Sequence, residues 1–492
     1  MLLISLLLLT GCASTDKAGP SADVDEGTSG WEVIGPGGGG TIYIPTISPG
    51  DSDHVFVRCD MTGSYVTQNG GESWRMFNLR GVVRDFEFDP QAPETVYACN
   101  SGLYRSDDRG RRWKLIYPRP EDVIEEVMVG DHASHRFRTE SGMPDSQIVK
   151  VRVDPSDSNH LFIGLSPSRT SGQPARILES RDKGGSWQEV AQLPGQQILG
   201  IFPGSWAGRS EEVVVVSDSG AVRVSLEGED AQQLRLPVTR VLASEGGVGQ
   251  TGSYLYILSE FTNEGGVLKG GVYRSSDLGA SWEKVNGAFE ASVAATGRLP
   301  RFRTLAVSEG HADVVYLSCE ALWMMENGFP QRHSGILKTS DGGGNWDWVM
   351  TVSGGRIWTD NFEGDWILRK LGWFRNPGHL GVSPTDPDIF YGTDSGRTIK
   401  SENGGRTWEQ CIDREFEDRS FTTRGLDVTT TYGVHFDPYD PQHIFISYTD
   451  IGLFHSFNGG KSWNHAITGI PRQWRNTCYW LEFDPAVRGR IY

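Results

Sequence analysis

The sequence predicts an all-β chain folded as a propeller, because a Trp-terminated turn recurs, strand-like runs flank each copy, and Gly and aromatic residues abound. The turn is an eight-residue pattern, Ser/Thr-x-Asp/Asn-x-Gly-x-Ser/Thr-Trp. Copies begin at Thr67, Ser106, Ser180, Ser275, Thr339, Ser401 and Ser456 and end at Trp74, Trp113, Trp187, Trp282, Trp346, Trp408 and Trp463. Arg112 and Asn345 replace the seventh residue in two of them. Asp or Asn can bond back to nearby amides, and Gly supplies backbone angles closed to other residues. The indole then has a large apolar body to bury between sheets.

Around each turn the same unit repeats. A strand ends in a turn such as Phe88-Asp89-Pro90, Val153-Asp154-Pro155 or Phe436-Asp437-Pro438, and a second strand follows, as in Val96-Tyr97-Ala98. A third strand leads into the Trp-terminated turn, and a fourth leaves from its Trp. Residues 198–236 form one more unit whose turn has decayed. Eight units, with the start of another after Trp480, predict either a seven-bladed ring with the start of a second propeller, or one larger ring of eight to ten blades. The last unit stops partway through a blade, as expected of a C-terminally truncated chain. Ser29-Gly30-Trp31-Glu32-Val33 matches the tail of a unit, so the N-terminal segment is expected to supply an outer strand that closes the ring.

The amino terminus carries an address. Residues 2–9 are apolar apart from Ser5, too short a run to span a bilayer, and lead into Leu9-Thr10-Gly11-Cys12. This resembles a bacterial lipobox, which implies a signal peptide over 1–12, acylation of Cys12, and export to the cell envelope with the lipid as membrane anchor. Residues 13–30 are polar and are expected to form a flexible tether. The propeller is then expected over 31–430, with further blades over 431–492.

Charge narrows the partners. With 46 Lys and Arg against 63 Asp and Glu, the net charge of -17 repels polyanions and argues against nucleic acid. A glycan or a protein partner remains. Cys59, Cys99, Cys319, Cys411 and Cys478 are scattered, without zinc-site spacing. No phosphate loop, serine-hydrolase elbow or His-x-x-His pair is present, so no metal or cofactor is implied.

Topology locates the candidate site. In a four-strand meander, the Asp-Pro turns and Trp-terminated turns share one face. The second-to-third turns and the blade connections share the other. At the ends of the second strands the units align Asp60, Asn100, Ser166, Asp218, Glu260, Glu320, Asp394 and Asp450. Two carboxyls across a cleft suit glycosidic hydrolysis, one protonating the leaving oxygen and one activating water. The alternative is that each caps its own turn. Long connections over 118–146 and 353–378 fall on this face, where binding usually resides. Trp358, Trp366 and Trp373 in the second connection either stack on sugar faces or fold that loop into a small core.

The repeat resembles the Asp box of bacterial and eukaryotic propellers. Gly37-Gly38-Gly39-Gly40-Thr41-Ile42 and Asp60-Met61-Thr62-Gly63 resemble the opening blade of xyloglucanases, glycoside hydrolase family 74. Gly372-Trp373, Tyr391-Gly392-Thr393 and Thr449-Asp450-Ile451-Gly452-Leu453 resemble the opening of that family's second domain. The resemblance implies two propellers facing across a cleft and inverting endo-hydrolysis of branched β-1,4-glucans. It carries the two catalytic aspartates onto Asp60 and Asp450. Met61-Thr62 and Leu453 depart from the family's Ile-Gly and Gly. A non-catalytic propeller that binds glycan or protein is the competing expectation.

Overall fold

The computed structural model describes residues 21–23, 32–130, 134–140, 146–167, 173–193, 197–228, 230–353, 356–357, 366–367 and 376–492. Cys12, Trp358 and Trp373 lie outside them. Eight sheets built as four-strand antiparallel meanders follow one another along the chain. Blade 1 comprises Ile42–Ile47, Val55–Cys59, Gly63–Thr67 and Arg75–Asn78. The seventh runs from His379–Val382 to Glu409–Gln410, and an eighth sheet runs from Thr431–Asp437 to Asn464–His465. The decayed unit folds as blade 4, from Ile198–Pro203 to Ala231–Leu234.

The first strands of successive blades pack on one another in order, and His379–Val382 packs on Ile42–Ile47. The ring therefore closes at seven blades. The larger ring does not form. The eighth sheet lies outside the circle.

The second strands of the blades are buried on both faces over their central residues, so they are apolar runs and do not alternate, whereas the outer strands are largely exposed. In blade 4, Val213, Val214, Val215 and Val216 are all fully buried. Between each pair of neighbouring blades lies a separate core. Phe56, Phe77, Phe86 and Trp113 join blades 1 and 2, and Tyr316, Phe390 and Trp408 join blades 6 and 7. The core that joins blades 7 and 1 is shared with the eighth sheet, combining Val57, Tyr391, Ile446, Phe454 and Trp463.

The Trp-terminated turns make these joints. In the copy at Ser275, the Ser Oγ accepts from Gly279 N at 2.8 Å and donates to Asp277 Oδ1 at 2.8 Å; Asp277 in turn accepts Ser281 N at 2.8 Å. All seven copies repeat the bond from the fifth residue's amide to the first hydroxyl. Burial opposes the charge on Asp341, but bonds from Asn345 and Thr339 outweigh it and hold the carboxyl down at about 2. The indoles reach back to the preceding blade: Trp113 stacks on Phe77 at 5.5 Å, and Trp408 Nε1 donates to Val349 O at 3.1 Å. Trp74 Nε1 donates to Cys411 O at 3.1 Å, just past the last strand of blade 7, which seals the circle.

Among the described residues, no N-terminal strand completes the seventh sheet, and residues 29–31 of the expected strand lie outside them. Residues 32–34 form no strand; Gly35 O accepts Thr423 N at 2.9 Å, and Ile34 packs beside Gly460 of the eighth sheet. Within the expected tether, Ser21–Asp23 pairs with Arg112–Lys114 on the outer edge of blade 2.

Trp113→Ala should destabilise by about 3–5 kcal/mol and Ser275→Ala by about 1 kcal/mol, as read by denaturant unfolding. A second expectation concerns His160, buried between Asp154 at 3.2 Å and Glu179 at 2.7 Å. Burial lowers its pKa, but the two carboxylates outweigh that, with Arg181 opposing, and raise it from 6.5 to about 9. Stabilisation from the protonated ring is complete below pH 6.5 and is lost as pH rises through about 9. The melting temperature should fall by about 2–4 °C across that window, and His160→Gln should flatten the fall.

Candidate active site

A glycine strap, residues 37–41, organises the loop-rich face. It threads between blade 7 and the lead-in to the eighth sheet. Gly38 N donates to Leu426 O at 2.5 Å, Gly39 N to Gly396 O at 3.3 Å, and Ile42 N to Asp394 O at 3.3 Å. Thr429 Oγ1 donates to Gly39 O. The strap leaves no room for side chains, as two of its positions show. At Gly37 (φ 75°) a Cβ would lie 2.2 Å from Ile412 O, and at Gly39 (φ 88°) it would lie 2.8 Å from Ile451 Cγ2.

Both predicted aspartates adjoin this strap. Asp60 follows the second strand of blade 1 and donates its backbone N–H to Thr41 O at 3.1 Å. Asp450 follows the second strand of the eighth sheet, one residue before the Ile451 that packs on Gly39. Ile451 N bonds to Thr449 O at 2.6 Å around Asp450, whose φ is 61°. An i to i+2 bond around a left-handed centre has the form of the rare, strained γ-turn. Both residues are exposed.

The other members of the aligned set divide in two. Asp394 caps its turn through Gly396 N and Arg397 N, both at 2.9 Å, and pairs with Arg397 Nη2 at 2.6 Å. Asn100 accepts Gly102 N at 3.0 Å, Ser166 Oγ accepts Ile198 N at 3.1 Å, and Asp218 accepts Gln197 N at 3.2 Å. Glu320 pairs with Arg301 at 2.9 Å. These five serve their own surroundings. Among the described residues, the carboxylates of Asp60, Glu260 and Asp450 have no such partner.

Trp366 is not a stacking platform. It is fully buried, stacks on Phe421 at 5.4 Å, and donates Nε1 to Pro36 O at 3.1 Å and Gly37 O at 3.2 Å. Of the two roles open to it, it takes the core one and backs the strap, because its ring fills the gap between blade 7 and the eighth sheet.

Sequence reasoning missed two walls. In blades 5 and 6 the second strands run on past Glu260 and Glu320 through bulges, as Gly252–Glu264 and His311–Glu326. Their hairpins rise above the face and expose Val267, Met324, Met325 and Phe329. The run Leu322-Trp323-Met324-Met325 was the available signal. The first long connection contributes another hairpin, Glu125–Val129 with Ser134–Arg138.

A cavity of about 440 Å³ occupies the other end of the axis, by the Asp-Pro turns, and includes Asp85, Glu87, Lys150, Arg152, Glu245 and Glu309 in its walls. Lys150 meets Asp85 at 3.2 Å, and Arg152 meets Glu87 at 3.3 Å and also Glu309. Blade 3 is thereby tied to blade 2 beside it and to blade 6 across the axis.

No family model matches the chain. A xyloglucanase of Paenibacillus sp. is 22% identical over 469 residues, covering 80% of this chain and 40% of the relative. An ancestral GH74 enzyme superposes with a TM-score of 0.62 at 17% identity, over 90% of this chain and 57% of that one. The fold is that of the GH74 propellers. The GH74-like chain spans about half the length of the curated xyloglucanases it matches. Photosystem II assembly protein Ycf48 of a Synechococcus strain is 27% identical over 286 residues, 55% of this chain and 81% of the relative.

The γ-turn sets an expectation. Asp450→Gly should leave the melting temperature equal or higher, whereas Asp450→Val should cost about 1–2 kcal/mol because a β-branched residue resists positive φ. Thermal unfolding of the two variants side by side checks this.

Proposed function

We propose that the chain belongs to an exported, lipid-anchored glycoside hydrolase that cleaves branched β-glucans within the chain and with inversion. Asp60 and Asp450 are its acid–base pair. The observation that carries this reading is that both matched aspartates flank one glycine strap and hold carboxylates not committed to capping. A strained turn under Asp450 fits a residue held for chemistry at the expense of stability. The similarity to xyloglucanases supports a polysaccharide substrate, which a chain of charge -17 tolerates when the glycan is neutral. The eighth sheet opens a second ring in this reading. Its first strand turns Tyr432, Val434 and Phe436 to solvent, the side on which the next blades would pack.

In the proposed chemistry, one carboxylic acid protonates the departing glycosidic oxygen while the other carboxylate takes a proton from the attacking water. The separation that suits this is roughly 6.5–9.5 Å, leaving room for that water. A second reading, a scaffold that binds a protein without chemistry, draws support from the similarity to Ycf48 over most of that protein's length.

The test is release of reducing ends from branched β-glucans by the purified chain. Asp60→Asn and Asp450→Asn should each lower the rate by at least about 100-fold. Their melting temperatures should stay within about 1 °C of the parent. Turnover that survives both substitutions would remove the assigned pair, and absence of turnover in the parent would favour the scaffold.

A further inference from the structure

On the same face as Asp60 lies a cleft of about 280 Å³ that, among the described residues, no carboxylate lines. Its polar walls include Arg84, Arg136, His135, Asn100, Ser101 and Gln147. They come from the connection between blades 1 and 2, the second-to-third turn of blade 2, the inserted hairpin, and the first strand of blade 3. All of these are features of the loop-rich face.

Its charge runs against the molecule's. In a chain of net charge -17, neither Arg84 nor Arg136 has an ion-pair partner among the described residues. The carboxylate of Glu126, which touches His135 at 2.6 Å, is already engaged by Arg80 at 3.0 Å. Arg58 extends the cationic strip toward Asp60. Its guanidinium lies 3.9 Å from the centre of the Tyr43 ring, Nη1 donates to Cys59 O at 3.1 Å, and Nε is buried without a partner. Burial, and then the positive charge of Arg84, push Arg58 down to about 10. Guanidinium groups that repel one another on a surface rich in acid are a costly arrangement unless an anion visits it. A planar fork of N–H donors matches a carboxylate, and Gln147 adds a neutral amide for sugar hydroxyls.

We propose that this cleft is a subsite for a uronate, a carboxylate-bearing sugar unit of the polysaccharide that lies along this face. The proposal rests on the glycan reading of the Asp60 face and deepens it by naming the substrate class: an acidic glycan, in place of a wholly neutral one. Arg84 and Arg136 hold the carboxylate, and Arg58 draws it toward the strip beside Asp60.

Calorimetric titration of the full chain with oligogalacturonate, and with the same oligomer after its carboxyls are reduced to alcohols, tests this. The intact oligomer should bind at least about tenfold more tightly, with an advantage that shrinks as salt rises. Arg84→Gln and Arg136→Gln should each cut the preference below about threefold with the melting temperature unchanged. Equal affinity for the two oligomers, or a preference that survives both substitutions, overturns the proposal. So does oligoglutamate binding as tightly as the uronate, which would make the cleft a site for acidic peptides. The reducing-end assay separates this proposal from the hydrolase reading. Uronate-selective binding without cleavage leaves the subsite standing and removes the hydrolase. Cleavage of neutral glucans without uronate preference does the reverse.

Discussion

Everything in this molecule follows from sheets that are apolar on both faces. The inner strands of a blade such as the valine-rich blade 4 have no solvent side, so the blade depends on its neighbours to cover them. The Trp-terminated turn fixes the spacing, since a hydroxyl, a carboxyl or amide, and two left-handed residues hold the indole rigidly against the preceding blade. The left-handed positions are Gly70 and Gly71 in the first copy but Arg109 and Gly110 in the second. The demand is therefore on backbone shape first and on glycine second. Seven blades bring the last round to the first, and at the joint there the ring meets the eighth sheet.

That joint is also where the candidate chemistry gathers. Blades 7 and 1 share their core with the eighth sheet, and the glycine strap is drawn through the seam. Only a chain without side chains can run so close to Ile412, Val428 and Ile451. The strap thus brings together turns that are 390 residues apart in sequence, as in the bond from Thr429 to Gly39. Trp366 backs it from the core side. The two ends of the axis differ in character: ion pairs among packed strands tie blades together at one, and loops, hairpins and the guanidinium groups of Arg58, Arg84 and Arg136 border the other.

Much of this was legible in the order of residues. The turn copies fall at Thr67 through Ser456 as local hydrogen-bonded units, and the blade without one was still recognisable from its apolar runs at 198–236. Asp60 and Asp450 stand at the strand ends to which the alignment assigned them. Less visible was which aligned polar residues would be consumed locally. Asp394 and Asp60 occupy the same register, yet one is captured by Arg397 three residues on and the other has no such neighbour. The role of Trp366 was open for the same reason: an indole in a loop stacks on sugar or packs inward according to the space left around it.

The sequence by itself determined the local turns, the four-strand units and the apolar runs, because these depend on hydrogen bonds and burial patterns within a few tens of residues. Tertiary structure alone decided where the ring closes, that residues 37–41 strap the seam, and that Arg84 and Arg136 line one cleft. Those outcomes depend on how small rotations between blades add up around a circle, and on which distant groups then come within reach. No stretch of sequence shorter than the ring contains that information.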